Sequence, residues 1–219
     1  MSSRSDILNR LRQPSNRKIA GQLPEWQDKD LFSDYPDSKD DLLNLFDTQL
    51  KKLSGSLYPV MGFEHAAKKL NDLLQEIDPK ECRAHESPLI NELKLHNQEI
   101  SKYLTYIDRE SISSEDFAQF TVGITGADCL ISRTGSVLIH TTTAGGRRLS
   151  VLPPTHIVIA EEKQLFPSIE DALQELVQVK NNWSYATLIT GPSRTSDIEK
   201  QLVLGAHGPK HLIVILIKN

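Results

Sequence analysis

An α/β fold with a mainly parallel central sheet flanked by helices is predicted for this chain of 219 residues. Its second half alternates apolar runs of strand length with segments of helical periodicity, which favours βαβ units and a parallel sheet. The run at 211–217 is apolar throughout, as expected for a strand covered on both faces. The other predicted strands lie at 121–124, 127–131, 136–140, 155–160 and 186–190, with a short one at 58–60.

The helices are predicted from apolar residues at helical spacing and from capping signals. Gly55 ends the first long helix, in which leucines and Phe46 face inward. Ser113 or Ser114 opens a short helix, and Ser196 with Glu199 has the spacing of a capping box. The predicted helices span 39–53, 63–76, 168–179 and 196–203, with a weaker helical turn at 88–95.

The first 37 residues differ from the rest in composition. Residues 5–12 have the apolar spacing of a short helix with arginines on its other face. Residues 13–37 are rich in Pro, Gln, Asp and Ser, with isolated aromatic residues, which predicts an extended arm. The predicted organisation is therefore an N-terminal helix and arm over 1–37, followed by an α/β domain over 38–219.

Composition excludes several functional classes. The net charge of −4 and the lack of a basic patch argue against a nucleic-acid partner. No apolar run approaches the roughly 20 residues of a membrane span, and the N-terminus lacks the apolar core of a signal peptide. We therefore expect a cytoplasmic protein without a membrane span. The two cysteines, Cys82 and Cys129, are too few for an iron–sulfur cluster or a disulfide framework, and the seven histidines show no metal-ligand spacing.

An anion site is predicted where the strand at 186–190 meets the next predicted helix. Gly191, Pro192 and Ser193 form a sharp turn there. A helix that begins at Ser196 would leave backbone N–H groups unpaired, and Arg194 and Thr195 lie beside them. The alternative is that Ser196 and Glu199 only cap the helix.

A second group of candidates lies around two predicted strands. Gly126 permits a turn or the close approach of a ligand, beside Thr125. Asp128 at the start of a strand suits the orientation of a substrate hydroxyl, a metal or an arginine; alternatively it bonds its own backbone. His207, in a glycine-flanked loop, is the candidate general base, whereas a structural role is favoured for His156.

Two loops lie between predicted strands, and only the second has two possible interpretations. Residues 133–136 predict a β-hairpin turn with Gly135 in a left-handed conformation. Residues 141–148 form a polar, glycine-containing loop that ends in two arginines. This loop suits a phosphate or the edge of a cofactor, or it is simply solvated.

Three segments of the chain, 122–136, 147–157 and 191–209, resemble the lactate-utilisation (LUD) domain family, in particular its LutC-type members. They occur in the family's order, and residues 5–12 are similar to the basic helix that begins many members. Arg133 departs from the pattern, since the family often has an acidic residue there, so no charge-based role is assigned to it.

The resemblance implies a fold similar to the ribose-phosphate isomerase and CoA-transferase superfamily. It also implies a subunit that works with iron–sulfur partner subunits to oxidise L-lactate to pyruvate. This chain would then bind a small organic anion or an unidentified cofactor, and whether it is catalytic by itself is left open. The expected site combines Asp128 and His207 as proton-transferring groups with Thr125, Gly126, Ser193, Arg194 and Thr195 as anion-binding groups.

Two other functions remain open at this point. Fold analogy alone suggests a stand-alone enzyme of the CoA-transferase or 5-formyltetrahydrofolate cyclo-ligase type. The third possibility is a binding or regulatory module without chemistry, in which the aromatic arm around 22–37 docks a partner.

Overall fold

The computed structural model describes residues 36, 38–107, 113–141, 148–179, 185–198, 201–204 and 208–218. All of them belong to one compact unit, Tyr35–Asn219. The predicted helix at 5–12 and nearly all of the predicted arm at 13–37 lie outside the described residues. The boundary between residues 37 and 38 therefore stays a prediction.

The main sheet has six strands, and all neighbouring pairs are parallel. This confirms the predicted α/β class with a mainly parallel central sheet. The strand 211–217 is confirmed as a central strand, since it lies between the first strand and the seventh. In sheet order the strands are β1 (Ser56–Met61), β12 (His211–Lys218), β7 (Thr155–Glu161), β4 (Val122–Gly126), β2 (Cys82–Ala84) and β3 (Thr105–Tyr106).

A second sheet of four strands packs against one face of the main sheet. Its strands, in spatial order, are β8 (Leu165–Phe166), β5 (Cys129–Ile131), β6 (Ser136–Thr141) and β9 (Tyr185–Ile189). β6 is antiparallel to both β5 and β9. As predicted, the turn before β6 holds Gly135 in the left-handed region, at φ +62°.

The helices predicted between residues 39 and 117 are confirmed, and each begins where the local sequence predicts. Ser38 caps α1 (Lys39–Lys52), because its hydroxyl accepts from the backbone N–H of Asp41 at 3.1 Å. The weaker turn at 88–95 forms a complete helix, with Ser87 as its cap. The remaining helices are α2 (Gly62–Ile77), α3 (Pro88–His96), α4 (Ser114–Phe117) and α5 (Ile169–Val179), with 3-10 turns at Gln98–Lys102 and Glu162–Gln164. No helix among these described segments is both long and apolar enough to cross a bilayer.

Apolar packing between these elements builds the core in layers. α2 and α3 cover one face of the main sheet, where Leu70 and Ile90 meet Ile124. α1 and the second sheet cover the other face, where Phe46 packs with Leu130. α5 closes the far side of the second sheet. Both faces of the main sheet are therefore buried, which explains its continuous apolar strands.

The predicted helix at 196–203 is wrong. The segment forms an antiparallel pair, β10 (Arg194–Ile198) with β11 (Gln201–Leu204). Thr195, Ile198 and Val203 are β-branched, and strand pairing outweighs the local capping signal of Ser196 and Glu199.

The prediction that the chain ends in a βαβ unit is also wrong. β9 is a half-exposed edge strand of the second sheet, antiparallel to β6, whereas β12 belongs to the main sheet. The apolar run at 186–190 therefore forms a strand as predicted, but not a buried one. A half-exposed edge strand and a buried parallel strand give similar short apolar runs, and periodicity alone does not separate them.

Candidate functional site

Five polar residues lie around the carboxyl ends of β2 and β4 and the facing end of β6, where His156 reaches from the second position of β7 through its contact with Thr125. Two of them, Thr125 and Asp128, were predicted as site residues. Ligands of open parallel sheets bind outside the carboxyl ends of the strands, because loops diverge there and leave a crevice. We call these residues the carboxyl-edge cluster: His85, Thr125, Asp128, His140 and His156.

Asp128 and His140 form a tight pair within this cluster. Asp128 Oδ2 accepts from the backbone N–H of His140 at 2.5 Å and lies 2.7 Å from Nδ1 of its ring. An ionised carboxylate only accepts, so Nδ1 of His140 carries the proton. The basic atom of the ring is then Nε2. The two side chains are 11% and 21% exposed, so the pair is shielded but within reach of a small ligand.

Thr125 and His156 form a second, deeper pair. Thr125 Oγ1 lies 2.9 Å from Nε2 of His156, and both residues are fully buried. Burial, with a smaller contribution from the charge of His85, lowers the pKa of His156 to about 3. His156 is therefore a neutral imidazole at physiological pH.

His85 has its backbone next to the residue that precedes Thr125. It follows β2 directly, and its backbone N–H donates to the carbonyl of Ile124 at 2.9 Å, which places it beside Thr125. Burial lowers the pKa of His85, and the charge of His140 lowers it further. The three imidazole rings are thus close enough to interact electrostatically.

Hydrogen bonds from the side chain of Gln164 fix the turn that carries Asp128. The side-chain N–H of Gln164 donates to the carbonyl of Ala127 at 2.5 Å, and its Oε1 accepts from the backbone N–H of Glu161 at 2.7 Å. Gly126, at the end of β4, is half-buried, and a Cβ there would make ordinary van der Waals contacts with Ser87 Oγ at 3.8 Å and the carbonyl oxygen of Ile159 at 3.9 Å. The backbone beside the cluster is therefore fixed in place by Gln164 and is only partly exposed.

Ser193 lies at the other edge of the main sheet. Its backbone N–H donates to the carbonyl of Pro209 at 2.8 Å, just before β12 begins. Lys210 in turn donates to the carbonyl of Pro154 at 2.7 Å, at the amino end of β7. The structure thus brings Thr125, Gly126 and Asp128 together and places Ser193 apart from them.

The structure does not place the other predicted site residues, Arg194, Thr195 and His207, in contact with the carboxyl-edge cluster. Arg194 and Thr195 belong to β10, so the helix N-terminus that was to supply free N–H groups beside them is absent from that segment. His207 lies outside the described residues, as does most of the loop at 141–148. Anion binding by Arg194 and Thr195 and proton transfer by His207 stay predictions.

Sequence reasoning missed His85, His140 and Gln164. The signal was weak because these residues are far apart in the chain, and only strand pairing brings them together. A usable clue was present, since His85 follows a short strand and His140 ends the predicted strand 136–140. Among the described residues, no group of His, Cys, Asp and Glu has the arrangement of a metal site.

The fold and the cluster define an α/β domain with a polar site at the carboxyl edge of a parallel sheet. The profile of the LUD domain family matches residues 43–217, and the chain belongs to this family. A DUF162 family protein from Deinococcus radiodurans, known from a crystal structure, has a similar fold. The TM-score is 0.63 at 19% identity, over 83% of this chain and 99% of that one.

Curated relatives match over different lengths. An uncharacterized protein of Neisseria meningitidis is 33% identical over 105 residues, which cover 48% of this chain and 45% of that protein. The chain therefore matches less than half the length of that relative. Lactate utilization protein C of Anoxybacillus flavithermus is 26% identical over 90% of both chains. Lactate utilization protein C of Halalkalibacterium halodurans is 24% identical over 93% of this chain and 91% of that protein.

Proposed function

We propose that this chain serves in lactate utilisation and binds a small 2-hydroxycarboxylate, L-lactate in the first instance, at the carboxyl-edge cluster. Relatives that align with about nine-tenths of the chain carry the name lactate utilization protein C. The observation that carries the proposal is the tight Asp128–His140 pair, whose side chains are partly exposed.

The Asp128–His140 pair has the geometry of a general base. Asp128 holds the ring in one tautomer and stabilises the imidazolium that forms when Nε2 accepts a proton. Oxidation of L-lactate to pyruvate requires loss of the hydroxyl proton, and we assign its acceptor as Nε2 of His140. The carbon-bound hydrogen then leaves as a second proton to solvent, and the two electrons pass one at a time to redox groups outside this chain.

We further propose that iron–sulfur partner subunits supply those redox groups. The chain has two cysteines, and both are buried, one in β2 and one in β5. Burial raises the pKa of Cys82 to about 12, which keeps its thiol protonated and unsuited to bind a metal. The chain would thus position the substrate and its proton, while its partners transfer the electrons.

The charges of the cluster make anion binding dependent on pH. Asp128 repels a carboxylate, so the ligand needs a compensating positive charge, which we assign to His85. An anion next to His85 favours the protonated ring and raises its pKa again. We therefore expect affinity for L-lactate to rise as the pH falls toward the lowered pKa of His85, below 6.5.

Thermal unfolding and calorimetry of the purified chain with L-lactate test the proposal, with Asp128→Asn beside the wild type. A ligand at 100 times its Kd stabilises the fold by about 2.7 kcal/mol. We expect stabilisation of the wild type and of the surface control Asp47→Asn, and none of Asp128→Asn. The proposal is contradicted if neither L-lactate nor pyruvate stabilises or binds the wild-type chain, whether it is alone or together with its partner subunits.

A further inference from the structure

Two chain crossings join the main sheet to the second sheet, and they lie next to each other. In the first, from β4 to β5, the backbone N–H of Ala127 donates to the carbonyl of Ile159 in β7, at 2.9 Å. The next backbone N–H, that of Asp128, donates to the carbonyl of Leu138 in β6, also at 2.9 Å. The second crossing runs from β7 to β8 through the 3-10 turn Glu162–Gln164. Asp128 therefore marks the point where the chain changes sheets.

The side chain of Gln164 links the two crossings. Its Oε1 accepts from the backbone N–H of Glu161, where β7 ends, at 2.7 Å. Its Nε2 donates to the carbonyl of Ala127 at 2.5 Å and lies 3.4 Å from the carbonyl oxygen of Asp128. These partners fix the orientation of the amide, because a backbone N–H only donates and a carbonyl only accepts. Both halves of the Gln164 amide are therefore in use.

The donor half of this amide is not needed to cap the 3-10 turn. In a capping box the side chain at this position only accepts a hydrogen bond, and Glu serves there as well as Gln. The donor is directed instead at the carbonyls of the two peptide groups on either side of the Asp128 Cα. Because peptide groups are planar, fixing both of them fixes the direction in which the Asp128 side chain leaves the backbone.

The direction of Asp128 matters because the candidate site is divided between the two sheets. Asp128 Oδ2 holds the backbone N–H and the ring of His140 in β6. His85, to which we assign the charge that balances a carboxylate, follows β2 of the main sheet. The base and the cation thus stand on different sheets. A misplacement of about 1 Å between reacting groups costs on the order of 100-fold in rate.

We propose that Gln164 is a positioning residue, which holds the Asp128–His140 pair at the junction of the two sheets and so keeps His140 in a fixed place relative to His85. The consequence for catalysis rests on the proposed function. The position of the pair is a property of the free chain, so it is tested without a ligand.

NMR of the His140 ring gives that test on the full chain. The Nδ1 hydrogen of wild-type His140 is expected to exchange slowly with water, because Asp128 accepts it. Gln164→Glu keeps the acceptor for the Glu161 N–H and loses the donor, and Gln164→Met loses both at nearly constant length. We expect exchange to be about 3- to 10-fold faster in each, the equivalent of one hydrogen bond.

Ser168→Ala is the matched control for a general loss of stability. Ser168 Oγ accepts from the backbone N–H of Asp171 at 3.2 Å and caps α5, outside both crossings. We expect the wild-type exchange rate at His140 in this variant, although its unfolding temperature falls. Exchange as fast in Ser168→Ala as in the Gln164 variants, or wild-type exchange in Gln164→Glu, overturns the inference, also if Gln164→Met does not fold.

The rate of lactate oxidation, measured in extracts with the variants in place of the natural chain, gives the second readout. We expect kcat to fall by about 10- to 100-fold in the Gln164 variants, with little change in KM, because the base is displaced and His85 is not. An unchanged rate in these variants, where Asp128→Asn is inactive, overturns the positioning role and leaves the proposed function standing. Failure of the wild type to bind L-lactate overturns the proposed function, and the exchange rates at His140 then decide the inference alone.

Discussion

The two edges of the six-stranded sheet are built differently. At the carboxyl edge, side chains pair with side chains, as in Asp128 with His140 and Thr125 with His156. At the amino edge, backbone groups pair with backbone groups, since the carbonyl of Pro154 accepts from both Lys210 and His211. Among the described residues, one edge therefore carries paired titratable side chains, whereas backbone hydrogen bonds join the strands and loops at the other.

Packing also closes the amino side. Arg148 lies 4.1 Å from the ring centre of Phe117, Phe117 and Phe120 are 4.9 Å apart, and Arg83 lies 4.6 Å from the ring centre of Phe120. The carbonyl of Leu149 occupies the space that a Cβ at Gly123 would need. Arg148, one of the two arginines that the sequence offers to a phosphate in the loop 141–148, is thus stacked on an aromatic ring. An arginine or lysine in the sequence therefore indicates an anion site only where the fold leaves its charged group free of such packing.

The largest effect is expected from Asp128→Asn. The change removes the acceptor that fixes His140, and loss of general-base catalysis corresponds to a factor on the order of 100 or more. The rate of lactate oxidation in extracts of the source organism, with the variant in place of the natural chain, measures it. Asp47→Asn is the control, and an unchanged rate for Asp128→Asn would remove the carboxyl edge from the chemistry.

Gly135→Ala is expected to lower the free energy of unfolding by about 2 kcal/mol or more. Gly135 has φ +62°, and a Cβ there would lie 2.5 Å from the backbone nitrogen of Leu50 in α1. Gly62→Ala is the matched control, because Gly62 has a similar φ of +69° with nothing within 4 Å of the added Cβ. Denaturant unfolding of both variants separates backbone strain from steric overlap. Equal losses would show that α1 does not pack tightly on this turn.

His156→Phe is expected to flatten the dependence of stability on pH. In the wild type, the unfolded chain takes up a proton near pH 6.5, whereas folded His156 does so only at about 3. The free energy of unfolding therefore falls as the pH drops below 6.5, by up to about 1.4 kcal/mol per pH unit from this residue. Denaturant unfolding at pH 7 and pH 5 measures the difference. The same slope in both proteins would mean that His156 titrates normally when folded.

The smallest effect is expected at Cys82. Burial raises the pKa of its thiol to about 12, so the thiolate that reacts with alkylating agents is scarce at neutral pH. Mass spectrometry after iodoacetamide treatment should show no modification of Cys82 in the native chain and full modification in denaturant. Rapid alkylation of the native chain would contradict the buried position of β2.

The sequence predicts the elements whose signals are local. Ser38 and Ser87 cap their helices, Gly135 takes the predicted turn conformation, and the apolar run of β12 is buried in the main sheet. The pairing of β10 with β11, by contrast, depends on contacts between two segments and has no signal within either one. The capping signal at Ser196 was outweighed by cross-strand contacts that no single segment of sequence contains.

The candidate site shows the same limit. Thr125, Gly126 and Asp128 are adjacent in sequence, so a single motif indicates all three. His85 and His140 reach them only through the pairing of β2 with β4 and the return of β6 to Asp128. Residues such as His85 and His140, which lie far from this motif in the chain, can be assigned to the site only when the order of the strands in the sheets is known.

Calorimetric titration of L-lactate into the wild type, Asp128→Asn and Arg194→Ala tests the central claim most directly. If the carboxyl edge binds the ligand, the wild type and Arg194→Ala bind L-lactate, and Asp128→Asn loses binding. Loss of binding in Arg194→Ala with full affinity in Asp128→Asn would contradict this account and place the site at the β10–β11 segment instead.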